Sequence, residues 1–374
     1  MRWAIAGYGD VVERRVLPAL RALGEEPVRV WGRDARRAAD VAARHGVPFA
    51  GSDEETLVRD VDAVYVATPV VRHVPLAERA LAAGLPVLVE KPLAGGLYSG
   101  AQPGRSGAGL GASGGPCAGV AYYRRLAPAV RRLRDDLLSG QPERVDVRFR
   151  CAFDPAPGHP MRWRTDPALS GGGVLADAGS HRLDLLHLLF GRADEVRASL
   201  GRRFPEGAER LAEVELRWAS GPRARVRAEW SGAAAEDRFE VSGGGRSLTL
   251  DPLDSGLLRR HGFPGAGEVS LPPAANPHQP LIADFVAAVA TGRPPVCPVA
   301  EAHLVDEVLA AAERSAASGG APVRLPPAAD AAPPSRTDAA SPPRTETEPA
   351  PRTTTQAPSS ADQARSQRGS GVSD

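Results

Sequence analysis

Short apolar runs alternate with longer stretches of helical period over the first ninety residues. Residues 3–6, 28–31, 63–67 and 87–89 are β-branched or apolar almost throughout, the pattern of strands buried on both faces. Between them, residues 10–23, 34–45, 53–59 and 71–83 have the spacing of helices. Strand and helix in strict alternation call for right-handed crossovers and a parallel sheet with helices on both sides. Pro18 interrupts the first helix and is expected to bend it.

From about residue 143 the period shortens to two. Val214, Leu216 and Trp218, then Ala224, Val226, Ala228 and Trp230, alternate with polar residues, and Ser220-Gly221-Pro222 supplies the turn between the runs. A second pair, 238–241 and 247–250, is joined by Gly243-Gly244-Gly245, so a meander of antiparallel strands with one apolar and one charged face is predicted. Helices near 279–290 and 299–316 follow, and the packed chain is expected to end near Leu325. Residues 326–374 hold Val372 but no Leu, Ile, Phe, Tyr, Trp or Met among their Pro, Ser, Thr, Ala and Arg. Such a tail buries too little apolar area to offset its ordering entropy and is expected to be disordered.

The 374 residues suit about two domains of ordinary size. Their formal charge of +1 argues against a nucleic-acid partner. Of the 46 basic residues Lys91 alone is lysine, and Asn276 is the single asparagine, as in a chain from a GC-rich gene. Lysine was replaceable everywhere except at position 91. Cys117, Cys151 and Cys297 are widely spaced and form neither a disulfide framework nor a zinc motif, so a reducing cytoplasm is the expected compartment. No signal peptide or membrane span is read: residues 106–123 are uncharged, but too rich in glycine to cross a bilayer.

Gly7-Tyr8-Gly9 follows the first strand, and Asp10, Val11 and Val12 open the first helix. A dinucleotide fold sets its pyrophosphate there, against backbone N–H groups and the positive helix end. Val12 occupies the place of a third glycine and is expected to hold the helix farther from the sheet. The second strand ends Val30-Trp31-Gly32-Arg33-Asp34. Arg33, with Arg36 or Arg37 behind it, suits a 2′-phosphate, so NADP(H) is favoured over NAD(H); a solvated arginine at a helix start is the alternative.

Lys91 stands in Glu90-Lys91-Pro92, just past the carboxyl end of a predicted parallel strand. A lysine can be tuned there to exchange a proton or steady an alkoxide, whereas arginine cannot be deprotonated. A second constellation follows Gly171-Gly172-Gly173: Asp177, His181 and Asp184 are spaced i, i+4 and i+7, one face of a helix, with the carboxylate expected to orient the imidazole. His187 is read as structural, and no metal is expected.

Together these motifs resemble the Gfo/Idh/MocA family, the relatives of glucose-fructose oxidoreductase and inositol dehydrogenase. The resemblance runs from Met1 to about Leu325 and rests on Gly7-Tyr8-Gly9, Ala67-Thr68-Pro69 with His73, Glu90-Lys91-Pro92, Tyr122-Tyr123-Arg124-Arg125, Trp163-Arg164 and the Asp177/His181 segment. It implies an α/β Rossmann domain with a parallel sheet over residues 1–121. An α+β domain with a large open antiparallel sheet would follow over 122–325. It also implies NAD(P)-dependent oxidation or reduction of sugars, polyols or related alcohols, with Lys91, Asp177 and His181 catalytic. Thr68, Pro69, His73 and Glu90 then join the cofactor site, and Tyr123, Arg124, Trp163 and Arg164 the substrate site. A homo-oligomer through the open sheet is expected, with no membrane partner.

Residues 94–119 depart from this pattern. They hold ten glycines, no acidic residue and no helical period where a helix is due. Two compensating frame changes in a GC-rich gene would produce such a segment; a genuine flap is the alternative. Loss of the helix would expose apolar sheet surface. Two rival readings therefore stand beside the enzyme, a non-catalytic NAD(P)-binding regulator and a gene product impaired by this segment.

Overall fold

The computed structural model describes residues 1–96, 110, 114–137, 141–219 and 221–326. Its first sheet contains β1 (Arg2–Ala6), β2 (Glu26–Trp31), β3 (Phe49–Gly51), β4 (Ala63–Val66), β5 (Val87–Val89) and β6 (Ala118–Val120). All run parallel, in the order β3-β2-β1-β4-β5-β6. The order reverses between β1 and β4, and open α/β sheets take their ligands in the crevice at the carboxyl ends of such strands. Trp3, Ala4, Ile5 and Ala6 of β1 and every residue of β4 and β5 are buried, which explains why these segments are apolar without alternation.

The helix His278–Thr291 comes back from late in the chain to cover one face of this sheet. Its Leu281, Ile282 and Phe285 join Trp3, Ile5 and Tyr65 in one apolar cluster, with the Trp3 and Phe285 rings 5.9 Å apart. Each fully buried side chain of this size contributes about 1.5–3 kcal/mol. The bend expected at Pro18 takes the form of a π-helical turn, Val12–Val16, ahead of the α-helix Leu17–Ala22. Pro18 has no N–H to offer the preceding turn.

The alternation in the sequence predicts β1, β2, β4 and β5; β3 and β6 are additional. β6 closes the glycine-rich segment, so the expectation of a featureless run fails at its end. A Cβ on Gly119 would stand 3.2 Å from Pro295 and 3.4 Å from Leu88 and Phe285, so this strand is sandwiched where only a small residue fits. The segment's start is held as well. Asp306 of the helix Val299–Ala317 accepts the N–H groups of Ala94 and Gly95 at 3.1 and 3.0 Å, and Gly96 donates to the Gly171 carbonyl at 2.7 Å. Residues 97–109 and 111–113 lie outside the described residues. The apolar surface expected to be exposed nearby is covered at β5, whose residues are at most 1% exposed.

A second sheet of nine strands follows: β7 (Arg144–Cys151), β8 (Glu195–Arg203), β9 (Glu209–Arg217), β10 (Arg223–Trp230), β11 (Glu236–Gly243), β12 (Arg246–Leu250), β13 (Leu257–His261), β14 (Gly267–Ser270) and β15 (Val323–Arg324). Its order is β14-β13-β12-β11-β7-β10-β9-β8-β15. The expected antiparallel sheet is mixed, because β7 and β10 pair in parallel from Arg223 opposite Arg144 to Trp230 opposite Cys151. The chain leaves β7 through the helical region 162–190, enters at β8 and returns by two hairpins beside the strand it left. The predicted turn between β11 and β12 is tight: Gly244 and Gly245 have φ of 55° and 74°, which only glycine adopts readily at both central positions. The outward face is laced with charge, as where Arg225 opposes Glu215 and donates to it at 2.9 Å.

Among the described residues no helix is long and apolar enough to cross a membrane. Residues 327–374 of the expected tail lie outside them.

Candidate active site

The turn after β1 is built for close approach. Gly7 has φ of +123°, and a Cβ there would fall 2.3 Å from the Ala67 carbonyl oxygen, so no other residue fits between β1 and β4. A Cβ on Gly9 would meet nothing within 4 Å. Gly9 is free of protein neighbours on the side where a phosphate would lie, and its carbonyl accepts the N–H of Val12 at 3.0 Å and of Glu13 at 3.2 Å to start the helix. The Val12 side chain is fully buried with Trp3 and Ile5, so only its main chain is available to a nucleotide. Val11 is half-buried, and exposed Asp10 pairs with Arg14 at 2.7 Å.

Tyr8 lies across Gly32 at the end of β2, where a Cβ would come within 1.9 Å of its ring. Arg37 covers the same ring at 5.2 Å. The neighbouring Asp34 carboxylate is committed to capping the helix Ala35–Arg44, accepting from the Arg37 N–H at 3.1 Å. Arg33 is exposed at this rim.

Two residues expected to touch the cofactor are occupied elsewhere. The His73 ring is buried and spans two main-chain carbonyls, Pro92 through Nδ1 and Thr68 through Nε2, each at 2.9 Å. It ties the loops after β4 and β5 together, and burial lowers its pKa. Glu90 Oε1 accepts from the Tyr65 hydroxyl at 2.9 Å and faces His278 Nε2 at 3.1 Å. Burial works to raise the Glu90 carboxyl, but the His278 contact and the Lys91 charge hold it below the usual range.

Lys91, which these loops position, donates from Nζ to the Asp177 main-chain oxygen at 2.6 Å and lies 3.5 Å from its carboxylate. Burial lowers the Lys91 pKa against the pull of Asp177. The other carboxylate oxygen of Asp177 accepts from Arg164 at 3.2 Å. Burial would raise this carboxyl; Arg164 and Lys91 bring it below its ordinary value. The expected orientation of His181 by Asp177 is therefore corrected, because the carboxylate is turned to Lys91 and Arg164. Asp177 lies in a π-helical turn, Leu175–Gly179, whose i to i+5 winding breaks the i, i+4 register with the helix Ser180–Phe190. Asp184 is likewise elsewhere, in a buried ion pair with Arg125 at 2.7 Å.

His181 is packed between aromatic rings, Tyr122 at 5.8 Å and Tyr123 at 5.0 Å, and its Nδ1 is buried without a hydrogen-bond partner. Burial, reinforced by Arg124, Lys91 and Arg182, pushes its pKa well below the ordinary imidazole value. A neutral imidazole thus stands near a lysine, the pairing that proton exchange with an alcohol requires. Tyr123 also meets His278 at 5.2 Å, Arg124 lies 4.9 Å over the Tyr123 ring, and Arg164 stacks on Trp163 at 5.6 Å. His278 went unread in the sequence. A lone histidine opening an apolar helix carries no local signal, and its relation to Glu90 spans 188 positions.

A glycine turn after β1 at the reversal of strand order, with Lys91 just past the carboxyl end of β5 in the same sheet, suits a nicotinamide nucleotide. Residues 1–102 match the oxidoreductase family with an NAD-binding Rossmann fold, and the chain is an NAD(P)-dependent oxidoreductase. Residues 128–249 match the GFO/IDH/MocA C-terminal domain. The chain belongs to the Gfo/Idh/MocA family.

Among its relatives is the 1,5-anhydro-D-fructose reductase of Ensifer adhaerens, 31% identical over 305 residues, covering 77% of this chain and 88% of that protein. The crystal structure of an oxidoreductase domain protein from Kribbella flavida superposes with a TM-score of 0.76 at 25% identity, over 87% of this chain and 98% of that one. GenD2 from gentamicin A biosynthesis, solved in complex with NAD, gives 0.71 at 27% identity, over 87% and 96%.

Proposed function

We propose that this enzyme interconverts a secondary alcohol and a ketone on a sugar, polyol or related small molecule, with NADP(H) favoured over NAD(H). The name of the Ensifer relative, 1,5-anhydro-D-fructose reductase, supports a sugar-derived substrate. The nucleotide is held in the 1–121 half of the chain by Gly7, Tyr8, Gly9, Asp10, Val11, the main chain of Val12, Thr68 and Pro69. Arg33 serves a 2′-phosphate, since Asp34 is spent on its helix. The 122–325 half presents the substrate side, with Tyr123, Arg124, Trp163 and Arg164.

When bound, the nicotinamide takes up or delivers the hydride. In oxidation, neutral His181 accepts the hydroxyl proton, and protonated Lys91 donates a hydrogen bond that steadies the developing alkoxide. In reduction the proton runs back from His181. Asp177 holds the Lys91 ammonium by its main-chain oxygen and its carboxylate, and His73 and Glu90 fix the loops beneath it.

The observation that carries this reading is the Lys91–Asp177 contact at the carboxyl end of β5, beside an uncharged His181. A panel of sugars and polyols assayed with NAD and NADP by nicotinamide absorbance tests it. Turnover of at least one, with a lower KM for NADP, is the expected result; inertness of the whole panel in both directions overturns it.

We also infer a homo-oligomer through the outward face of the second sheet. A groove of about 500 Å³ edged by Arg144, Asp146, Glu215, Arg217, Arg223 and Arg225 gives that face alternating charge, which a second copy can complement. Light scattering on the eluted protein checks this, and a monomer at micromolar concentration overturns it.

A further inference from the structure

Two guanidinium groups, Arg124 and Arg182, act on His181 together with Lys91, and a third, Arg164, shares Asp177 with that lysine. Arg124 gives Nε to Asp254 at 2.9 Å. Arg182, the next residue along the helix, gives Nη1 to the Ala178 carbonyl at 2.8 Å and Nη2 to Asp237 at 2.6 Å. Arg164 gives Nη1 to Asp177 at 3.2 Å. Each nevertheless keeps a buried nitrogen with no acceptor: Nη1 of Arg124, Nε of Arg164 and Nε of Arg182. Nδ1 of His181 is in the same condition.

Buried donors are almost always satisfied, and three unpaired guanidinium nitrogens in the site that holds His181 and Asp177 are therefore informative. A water or a hydroxyl brings hydrogens of its own, whereas a carboxylate brings only acceptors. The charges agree with this, since after burial itself the cations Arg124, Lys91 and Arg182 do most to disfavour a charged His181. Arg124 is best placed to respond. Its side chain is buried, while its partner Asp254 is about half exposed and so screened by solvent.

We propose that the substrate is a sugar acid, whose carboxylate, close to the reacting carbinol, is received by Arg124 through Nη1. This rests on the reading that His181 and Lys91 act on that carbinol. One negative charge is matched here better than two, because Asp177, Asp237 and Asp254 already share these cations and would repel a phosphate dianion.

The test is calorimetric titration of the full chain, saturated with NADPH, with D-glucuronate, D-glucose and D-glucose 6-phosphate, alongside oxidative turnover of each with NADP+ as the hydride acceptor. Glucuronate is expected to bind about tenfold more tightly than glucose, as a charge-assisted hydrogen bond would give. Arg124→Gln should erase that difference, weakening glucuronate about tenfold more than it weakens glucose. Asp254→Asn, at a half-exposed position that folding tolerates, should tighten glucuronate by freeing Arg124; a purely structural role for the pair would weaken every ligand alike.

Equal binding of acid and neutral sugar, or equal loss of both in Arg124→Gln, overturns the proposal, as does a preference for the phosphate ester. Turnover of glucose alone would sink this inference and leave the proposed function standing. Arg124-dependent binding of glucuronate with no turnover of any sugar would do the reverse.

Discussion

The Lys91 ammonium donates to the main-chain oxygen of Asp177 across 86 positions of sequence, at 2.6 Å, and stands 3.5 Å from the same residue's carboxylate. The lysine is aimed by backbone as well as by charge, so its position does not depend on the carboxylate alone.

Lys91→Arg is the sharpest test of that arrangement. Arginine keeps the charge, but its planar fork does not fit a seat made for a single ammonium, so the donor aimed at the alkoxide is displaced. Turnover should fall about a hundredfold or more, the usual worth of a donor placed on a developing oxyanion, while NADPH binding followed by fluorescence is retained. A variant of normal activity would remove Lys91 from the mechanism.

Asp177→Asn separates charge from position. The main-chain contact to Lys91 survives, but the carboxylate that favours the charged amine is gone, so the Lys91 pKa should drop further below the ordinary lysine value. The alkaline limb of the pH–rate profile should move to lower pH, with little change in cofactor affinity. His181, depressed by burial, should leave the rate of alcohol oxidation undiminished as pH falls through 6.5, with the acid limb appearing only below it. An unmoved alkaline limb would show that Lys91 does not titrate in the rate-limiting step.

The two glycines of the first turn should behave differently. Gly7→Ala sets a methyl 2.3 Å from the Ala67 carbonyl on a backbone of positive φ, and the protein should lose about 2 kcal/mol or more in denaturant titration without any ligand. Gly9→Ala meets nothing in the protein, so its melting temperature alone should match wild type. Its methyl would stand where the phosphates are held, and the rise in melting temperature on adding NADPH should vanish. A full NADPH shift in Gly9→Ala would place the pyrophosphate elsewhere.

Asp306 predicts a pH dependence of stability. Burial pushes its carboxyl up to about 8, against the two N–H groups of Ala94 and Gly95 that favour the anion. Its pKa is raised in the folded state, so the folded protein binds the extra proton between about 4, the unfolded value, and 8. This contribution is therefore full below pH 4 and is lost as pH rises to 8, at a slope of up to about 1.4 kcal/mol per pH unit. Asp306→Asn has no proton to bind, and the difference between its urea midpoints at pH 5 and pH 8 should be smaller than that of the wild type. Equal differences would mean that Asp306 stays ionised throughout.

The Rossmann half was readable because its signal is local. β1, β2, β4 and β5 are continuous apolar runs whose burial on both faces dictates their composition. β3 has three residues and exposes Phe49, so nothing in its composition distinguishes it from a loop. β6 is hidden for the opposite reason: contact with Pro295 and Phe285 forces glycine onto a position where a strand would normally show a β-branched side chain. In the second sheet the hairpins β9–β10 and β11–β12 were legible through their turns. The parallel pairing of β7 with β10 was not, since it depends on where the chain returns after some seventy residues. At the site, single residues were legible by type and place, as Lys91 was, but their contacts were not. The π-helical turn rotated Asp177 away from His181, and the Glu90–His278 contact joins opposite ends of the chain.

The helix that seals the nucleotide sheet, His278–Thr291, is made long after the sheet's six strands. Leu281, Ile282 and Phe285 cover Trp3 and Ile5, and Asn276 ahead of them donates to the Arg15 carbonyl at 2.8 Å. A ribosome working from the first residue therefore releases all six strands of that sheet well before their cover emerges. The nascent protein carries part of an apolar face open until then, and the cofactor crevice becomes durable only when this later helix has closed over it.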